Sequence, residues 1–124
     1  MKRLLIQWGP LIFLSISLSN CYKDVILPTT ASTAPPQFVS FSSDLQPIFT
    51  TNCALSGCHV TGAQVPYLSA GLAYSQLIGG YVNTILPTKS TLYIMIYGDM
   101  AVHIPSASDK QKIYDWIRNG APNN

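Results

Sequence analysis

Two cysteines and a histidine stand close together near the middle of this chain of 124 residues, in the segment Cys53-Ala-Leu-Ser-Gly-Cys58-His59. Two thiols at a short, fixed separation can add across the two vinyl groups of a haem. The histidine that follows can turn its imidazole under the iron as the proximal ligand. Two intervening residues are commoner than four, and Gly57 supplies the backbone freedom for the longer loop. The single motif therefore predicts one covalently attached haem per chain.

The third cysteine has a separate explanation. Cys21 follows Leu18-Ser19-Asn20 at the end of an apolar run. This is where a bacterial lipoprotein carries the cysteine that is acylated and becomes the mature N-terminus, although a smaller residue than Asn20 usually precedes it. With lipid on Cys21 and thioethers on Cys53 and Cys58, no thiol remains for an ordinary disulfide.

The N-terminal region has the layout of an export signal, with a basic start followed by an apolar stretch. Residues 4–18 are mostly apolar and include Gly9-Pro10. A retained transmembrane helix is the alternative, but such a span needs about 20 residues. We therefore predict a signal peptide at 1–20, a lipidated, flexible, proline-containing tether at 21–38, and one small domain at 39–124. The protein is expected to be exported and lipid-anchored at the bacterial outer membrane or the periplasmic face.

The charge pattern excludes some classes of function. From residue 22 onward the chain has five basic and five acidic residues, so the overall net charge of +2 belongs to Lys2 and Arg3 in the predicted signal. A neutral domain lacks the basic face that nucleic-acid binding needs. The acidic residues are scattered singly. The sequence has no cluster of acidic or nucleophilic residues that would predict an enzyme.

The hydrophobic periodicity predicts an all-α domain. A capping box formed by Ser43 and Gln46 predicts the start of a first helix, with Pro47 tolerated in its first turn. A second capping box, of Ser108 and Gln111, predicts a last helix over residues 109–119 that stops at Gly120. Two short helices are predicted at 74–78 and 91–97. The predicted buried stripes are Leu45, Ile48, Phe49 and Cys53 in the first helix and Ile113, Trp116 and Ile117 in the last.

Residues 40–124 resemble a small class I c-type cytochrome domain. Phe41-Ser-Ser-Asp-Leu-Gln-Pro-Ile-Phe49 before the motif and Trp116-Ile-Arg-Asn-Gly-Ala121 near the end resemble the haem-domain lipoproteins of Bacteroidetes, with a CX4CH attachment variant. The resemblance implies first and last helices that cross beside one haem c. It also implies an electron carrier whose partners are redox proteins of the cell envelope.

The same resemblance implies a methionine as sixth iron ligand, in the loop before the last helix. Met100 lies there, out of phase with the helical stripe in which Met95 is predicted to fill the core. Alanine follows Met100 where the family has proline, so His103 is an alternative ligand. An open sixth position, as in a haem-based sensor or peroxidase, is a further alternative. A carbonyl at or near Pro66 is expected to accept the ring hydrogen bond of His59.

Two functions without haem also fit the composition. Cys53, Cys58, His59 and His103 have the right number and type for a zinc site, but adjacent residues such as Cys58 and His59 seldom both reach one ion. A structural surface lipoprotein with a Cys53–Cys58 disulfide is the other alternative. The aromatic residues most simply pack in the core or against a haem, and these are Phe49, Tyr93, Tyr97 and Trp116.

Overall fold

A computed structural model describes residues 33–124, which are helical and contain no β-strand. A π-helical turn, Phe41–Leu45, runs directly into α1, Gln46–Asn52. It is followed by α2 (Ala73–Ile78), a 3-10 turn (Pro87–Lys89), α3 (Thr91–Tyr97) and α4 (Ala107–Arg118). The all-α prediction is confirmed for this part of the chain.

The predicted signal peptide, Cys21 and most of the predicted tether lie outside the described residues. Within residues 33–124, no helix is both long enough and apolar enough to cross a membrane.

The first helical segment begins earlier than the sequence predicted. Ser40, not Ser43, is the N-cap: its hydroxyl accepts a hydrogen bond from the Ser43 amide at 3.3 Å. The Asp44 carboxylate in turn accepts from the Ser40 amide at 2.9 Å. In an ordinary capping box both bonds involve the cap and the third residue after it. Here the carboxylate that returns to the cap belongs to the fourth residue, in a π-helical turn, which is wider than an α-helical one. The predicted capping box of Ser43 and Gln46 is therefore wrong.

The last helix also uses an earlier cap. Ser106 accepts a hydrogen bond from the Asp109 amide at 3.1 Å, so α4 begins at Ala107 and the predicted cap at Ser108 is wrong. The helix stops at Arg118, and Gly120 then takes a left-handed conformation with φ +87°. The predicted bounds of α3 are confirmed, and α2 begins one residue earlier than expected.

An aromatic cluster joins the first helical segment to the last helix. The Phe41 ring lies 5.2 Å from the Trp116 ring and 5.3 Å from the Tyr74 ring, measured between centroids. Trp116 is fully buried, and its indole nitrogen donates to the Pro122 carbonyl at 2.9 Å. The buried stripe predicted for the last helix is confirmed, since Ile113 and Ile117 are fully buried as well. Packing of this kind fixes the direction in which α1 leads away to the cysteine motif.

The two ends of the described chain are bonded to each other. Arg118 donates to the Ala34 carbonyl and Asn119 to the Gln37 carbonyl, both at 2.6 Å. The Phe41 amide donates to the side chain of Asn124 at 2.8 Å. Ala34 and Gln37, which lie inside the range predicted to be tether, thus contact the last helix and the residue after it.

Candidate functional site

The cysteine motif forms a compact loop directly after α1. The Cys53 amide donates to the Phe49 carbonyl at 2.9 Å, which continues the helix geometry by one residue. The Cys58 amide donates to the Leu55 carbonyl at 2.9 Å, and the His59 amide donates back to the Cys53 carbonyl at 3.0 Å. Gly57 has φ +78°, the left-handed conformation that a glycine reaches without strain, as the four-residue spacing predicted. Hydrogen bonds at both ends therefore hold the two cysteines and the histidine together.

The loop forms one wall of a cavity of ≈ 350 Å³. A volume of this order is typical of a site for a small molecule or cofactor. Cys53, Cys58, His59, Met100 and His103, which are all of the domain's predicted cofactor and iron ligands, line this one cavity. Most of the remaining wall is apolar, and no acidic or basic side chain other than the two histidines takes part. The apolar wall residues are Phe49, Val65, Pro66, Leu68, Leu77, Leu92, Met95, Ile96 and Ile104.

His59 is held in a defined orientation and tautomer. Its Nδ1 lies 3.1 Å from the Pro66 carbonyl oxygen. A carbonyl can only accept, so Nδ1 carries a proton, and in the neutral imidazole this arrangement leaves the Nε2 lone pair for a metal. A hydrogen bond of this kind from the far ring nitrogen is what normally orients a histidine that binds a metal. The expected acceptor for the ring of His59, a carbonyl at or near Pro66, is confirmed. The Leu68 amide also donates to the His59 carbonyl at 2.7 Å.

The two thiols differ in environment. Cys58 is exposed, whereas Cys53 is half-buried, and the two are not joined by a disulfide in this structure. Burial, with a smaller contribution from Cys58, raises the pKa of the Cys53 thiol to about 11. Cys53 is therefore a protonated and weakly nucleophilic thiol at neutral pH.

The four residues of the zinc alternative line one cavity, but they do not form a group compact enough to share one ion. Within residues 33–124, no group of three or more histidine, cysteine, aspartate or glutamate side chains could hold a metal ion.

The facing wall of the cavity comes from α3 and the turns after it. Met95 lines the cavity and is 39% exposed, so the prediction that it fills the core is wrong. Its helix neighbours Leu92 and Ile96 are buried, and Met95 lies beside them on the edge that borders the cavity. Periodicity identifies this face of the helix but does not distinguish a core from a cavity wall, so sequence reasoning missed Met95 as a third candidate iron ligand.

Met100 and His103 are presented by the turns between α3 and α4. The Met100 amide donates to the Met95 carbonyl at 2.9 Å, and the His103 amide donates to the Met100 carbonyl at 3.1 Å. Met100 is half-buried and His103 is exposed. The cavity therefore has one oriented imidazole at the cysteine loop, together with two thioethers and a second imidazole from the segment after Thr91.

No family model matches this chain, and no curated protein or solved structure is significantly similar to it.

Proposed function

We propose that this protein is a mono-haem c-type cytochrome lipoprotein that carries electrons at a bacterial envelope membrane. One observation carries the proposal: both cysteines and an oriented His59 line the same apolar cavity. The donor set fits a haem c, since it offers two thiols for the vinyl groups, together with an imidazole and soft thioethers that could ligate the iron. The apolar wall suits the face of a porphyrin.

Each element of the site has a role in this proposal. When bound, the haem supplies a one-electron change between ferric and ferrous iron. Cys53 and Cys58 fix the position of the macrocycle, and His59 offers Nε2 to the iron. Met100 is the proposed sixth ligand, because a neutral thioether stabilises ferrous iron and raises the potential. His103 in that place would lower the potential instead.

Export and lipid anchoring are part of the same proposal. Cys21 carries the lipid, and the partners are redox proteins of the cell envelope. Lipid on Cys21 would hold the domain near the membrane, because Ala34, a short way further along the chain, accepts a hydrogen bond from Arg118 of the domain. Mass spectrometry of the mature chain should find an acylated Cys21 at its N-terminus.

The decisive experiment is expression of the full chain in a host with a c-type maturation system, followed by denaturing electrophoresis and haem staining. The wild type should give a coloured band that resists acid–acetone extraction. The double variant Cys53→Ala/Cys58→Ala should give no colour. Cys21→Ala is the matched control, since it removes the third thiol and should keep the haem while losing the lipid. A colourless wild-type band refutes the proposal.

The same preparation separates the alternatives. A haem-loaded protein whose ferrous form binds carbon monoxide at once has an open sixth position, which favours a sensor or peroxidase. A colourless protein with no free thiol at Cys53 or Cys58 favours the disulfide-bonded structural lipoprotein.

A further inference from the structure

A second cleft, of ≈ 430 Å³, adjoins the cavity. Residues 80–85 and 89–91 line it, and Lys89 is its charged residue. Tyr81 and Thr91 line both the cleft and the cavity. These two residues therefore stand at the boundary between an apolar chamber without acidic, lysine or arginine side chains and a polar cleft with a cation.

The cleft is a fixed part of the fold. The fully buried Ser90 hydroxyl accepts from the Asn83 amide at 2.9 Å and lies 3.2 Å from the Asn83 carbonyl, to which it donates. The Asn83 side chain accepts from the Leu86 amide at 2.9 Å, which closes the loop on itself. The Leu92 amide donates to the Tyr81 carbonyl at 2.9 Å and ties the loop to α3. The position of Tyr81 beside Thr91 is thus set by backbone hydrogen bonds.

The two boundary hydroxyls are available to a ligand. Within the described residues, neither Tyr81 nor Thr91 donates a side-chain hydrogen bond. The two amide side chains of the cavity wall are already engaged, because Asn52 donates to the Ile48 carbonyl at 2.8 Å and Gln64 donates to the Gly57 carbonyl at 3.3 Å. Tyr81 and Thr91 therefore offer two hydroxyl donors to an acceptor that lies where the cavity meets the cleft.

We infer that this cleft receives the two carboxylates of the haem, with Tyr81 and Thr91 as hydroxyl donors and Lys89 as the counter-ion. The inference rests on the proposed function and deepens it. A haem carries its carboxylates on the edge opposite its vinyl groups, so thioethers at Cys53 and Cys58 direct the carboxylates away from the cysteine loop. Burying an ionised carboxylate in an apolar chamber without a partner is costly, and the adjoining cleft offers both donors and a positive charge.

The arrangement has a measurable electrostatic consequence. A cation beside the carboxylates favours the iron state with one positive charge fewer, which is the ferrous state. Lys89 is exposed, so salt screens its effect and the effect is modest. Removal of the Lys89 charge should therefore shift the ferric/ferrous equilibrium constant about threefold toward ferric at low ionic strength.

The test is spectroelectrochemical titration of the matured, haem-loaded full chain at low and at high salt. Lys89→Gln should favour ferric iron by about threefold at low salt and less at high salt. Lys112→Gln, on α4 and outside both clefts, is the matched control and should leave the equilibrium unchanged. Tyr81→Phe, which removes only the hydroxyl, should shift the equilibrium in the same direction as Lys89→Gln.

Two outcomes overturn the inference, and they are distinguishable. A haem-loaded protein in which Lys89→Gln behaves like Lys112→Gln places the carboxylates elsewhere and leaves the proposed function standing. A wild type without haem by the pyridine haemochrome spectrum removes the proposed function and this inference with it.

Discussion

Gly98, the residue that follows α3, is the position where one added methyl group should disturb both the fold and the site. A Cβ atom at Gly98 would lie 2.8 Å from the Ile94 carbonyl oxygen, inside the distance that real contacts allow. Gly79 has the equivalent place after α2, and a Cβ there would lie 3.2 Å from the Ser75 carbonyl oxygen. The pair separates the effect of the close approach from the general effect of alanine at a helix end.

The structure sets the size of the expected effect. The obstructing atom at Gly98 is a backbone oxygen of α3, so it can retreat only if the helix deforms. We expect Gly98→Ala to lower the free energy of unfolding by about 1–3 kcal/mol, the usual cost of overpacking. Gly79→Ala needs a shift of only a few tenths of an ångström and should cost less than about 1 kcal/mol. For a domain of this size, each 1 kcal/mol corresponds to about 4–8 °C in Tm.

Thermal and denaturant unfolding of the matured protein measure this difference, and the visible spectrum reports on the site. Gly98 begins the turn in which the Met100 amide donates to the Met95 carbonyl, so the substitution should displace Met100 as well. The sulfur–iron band expected near ~695 nm should weaken in Gly98→Ala and persist in Gly79→Ala. Equal stability of the two variants, with the band unchanged in both, would refute the reasoning.

Three further predictions concern the proposed sixth iron ligand, the ionisation of Tyr97 and the cap of the first helical segment. Met100→Ala should abolish the band near ~695 nm and let the iron bind exogenous ligands; if His103→Ala does this instead, two histidines ligate the iron. Burial, followed by neighbouring tyrosines and an aspartate, raises the pKa of Tyr97, so its contribution to stability is complete below about pH 10 and is lost as the pH rises through the folded-state pKa. Denaturant unfolding from pH 8 to 11 should show a shallower loss of stability in Tyr97→Phe. Ser40→Ala should cost about 0.5–2 kcal/mol in the same assay and Ser43→Ala less than about 0.5, because the Ser40 hydroxyl is the N-cap.

The helices could be predicted from sequence more readily than their first residues. Apolar periodicity identified α3 and the interior of α4 because one face of each helix is buried. Serines cluster at 40–43 and at 106–108, and each cluster offers more than one possible cap. Tertiary packing decides between them: Phe41 has to reach Trp116, so the first helical turn must already include Phe41. A local capping pattern contains no information about that distant contact.

The candidate site also has one part that the sequence predicted and one part that it did not. Cys53, Cys58 and His59 lie close together in the sequence, and their spacing alone predicted that they act together. The opposite wall depends on how α3 and the following turns are placed, which no local pattern specifies. Met95 and Met100 both line the cavity, although the helical stripe assigned Met95 to the core. An apolar stripe identifies a helix surface that is shielded from water, and either neighbouring side chains or a bound ligand can shield it.

The mostly apolar walls of the cavity favour an apolar occupant. The cavity is partly open to solvent, so without an occupant water would wet the walls formed by Leu68, Leu77 and Ile104. A flat apolar group attached at Cys53 and Cys58 would cover those walls and add to a core that so short a chain cannot make large by itself. If the proposed haem is that group, it completes the fold, so unfolding of the double cysteine variant should begin at the cavity walls and leave the cluster around Trp116 until last.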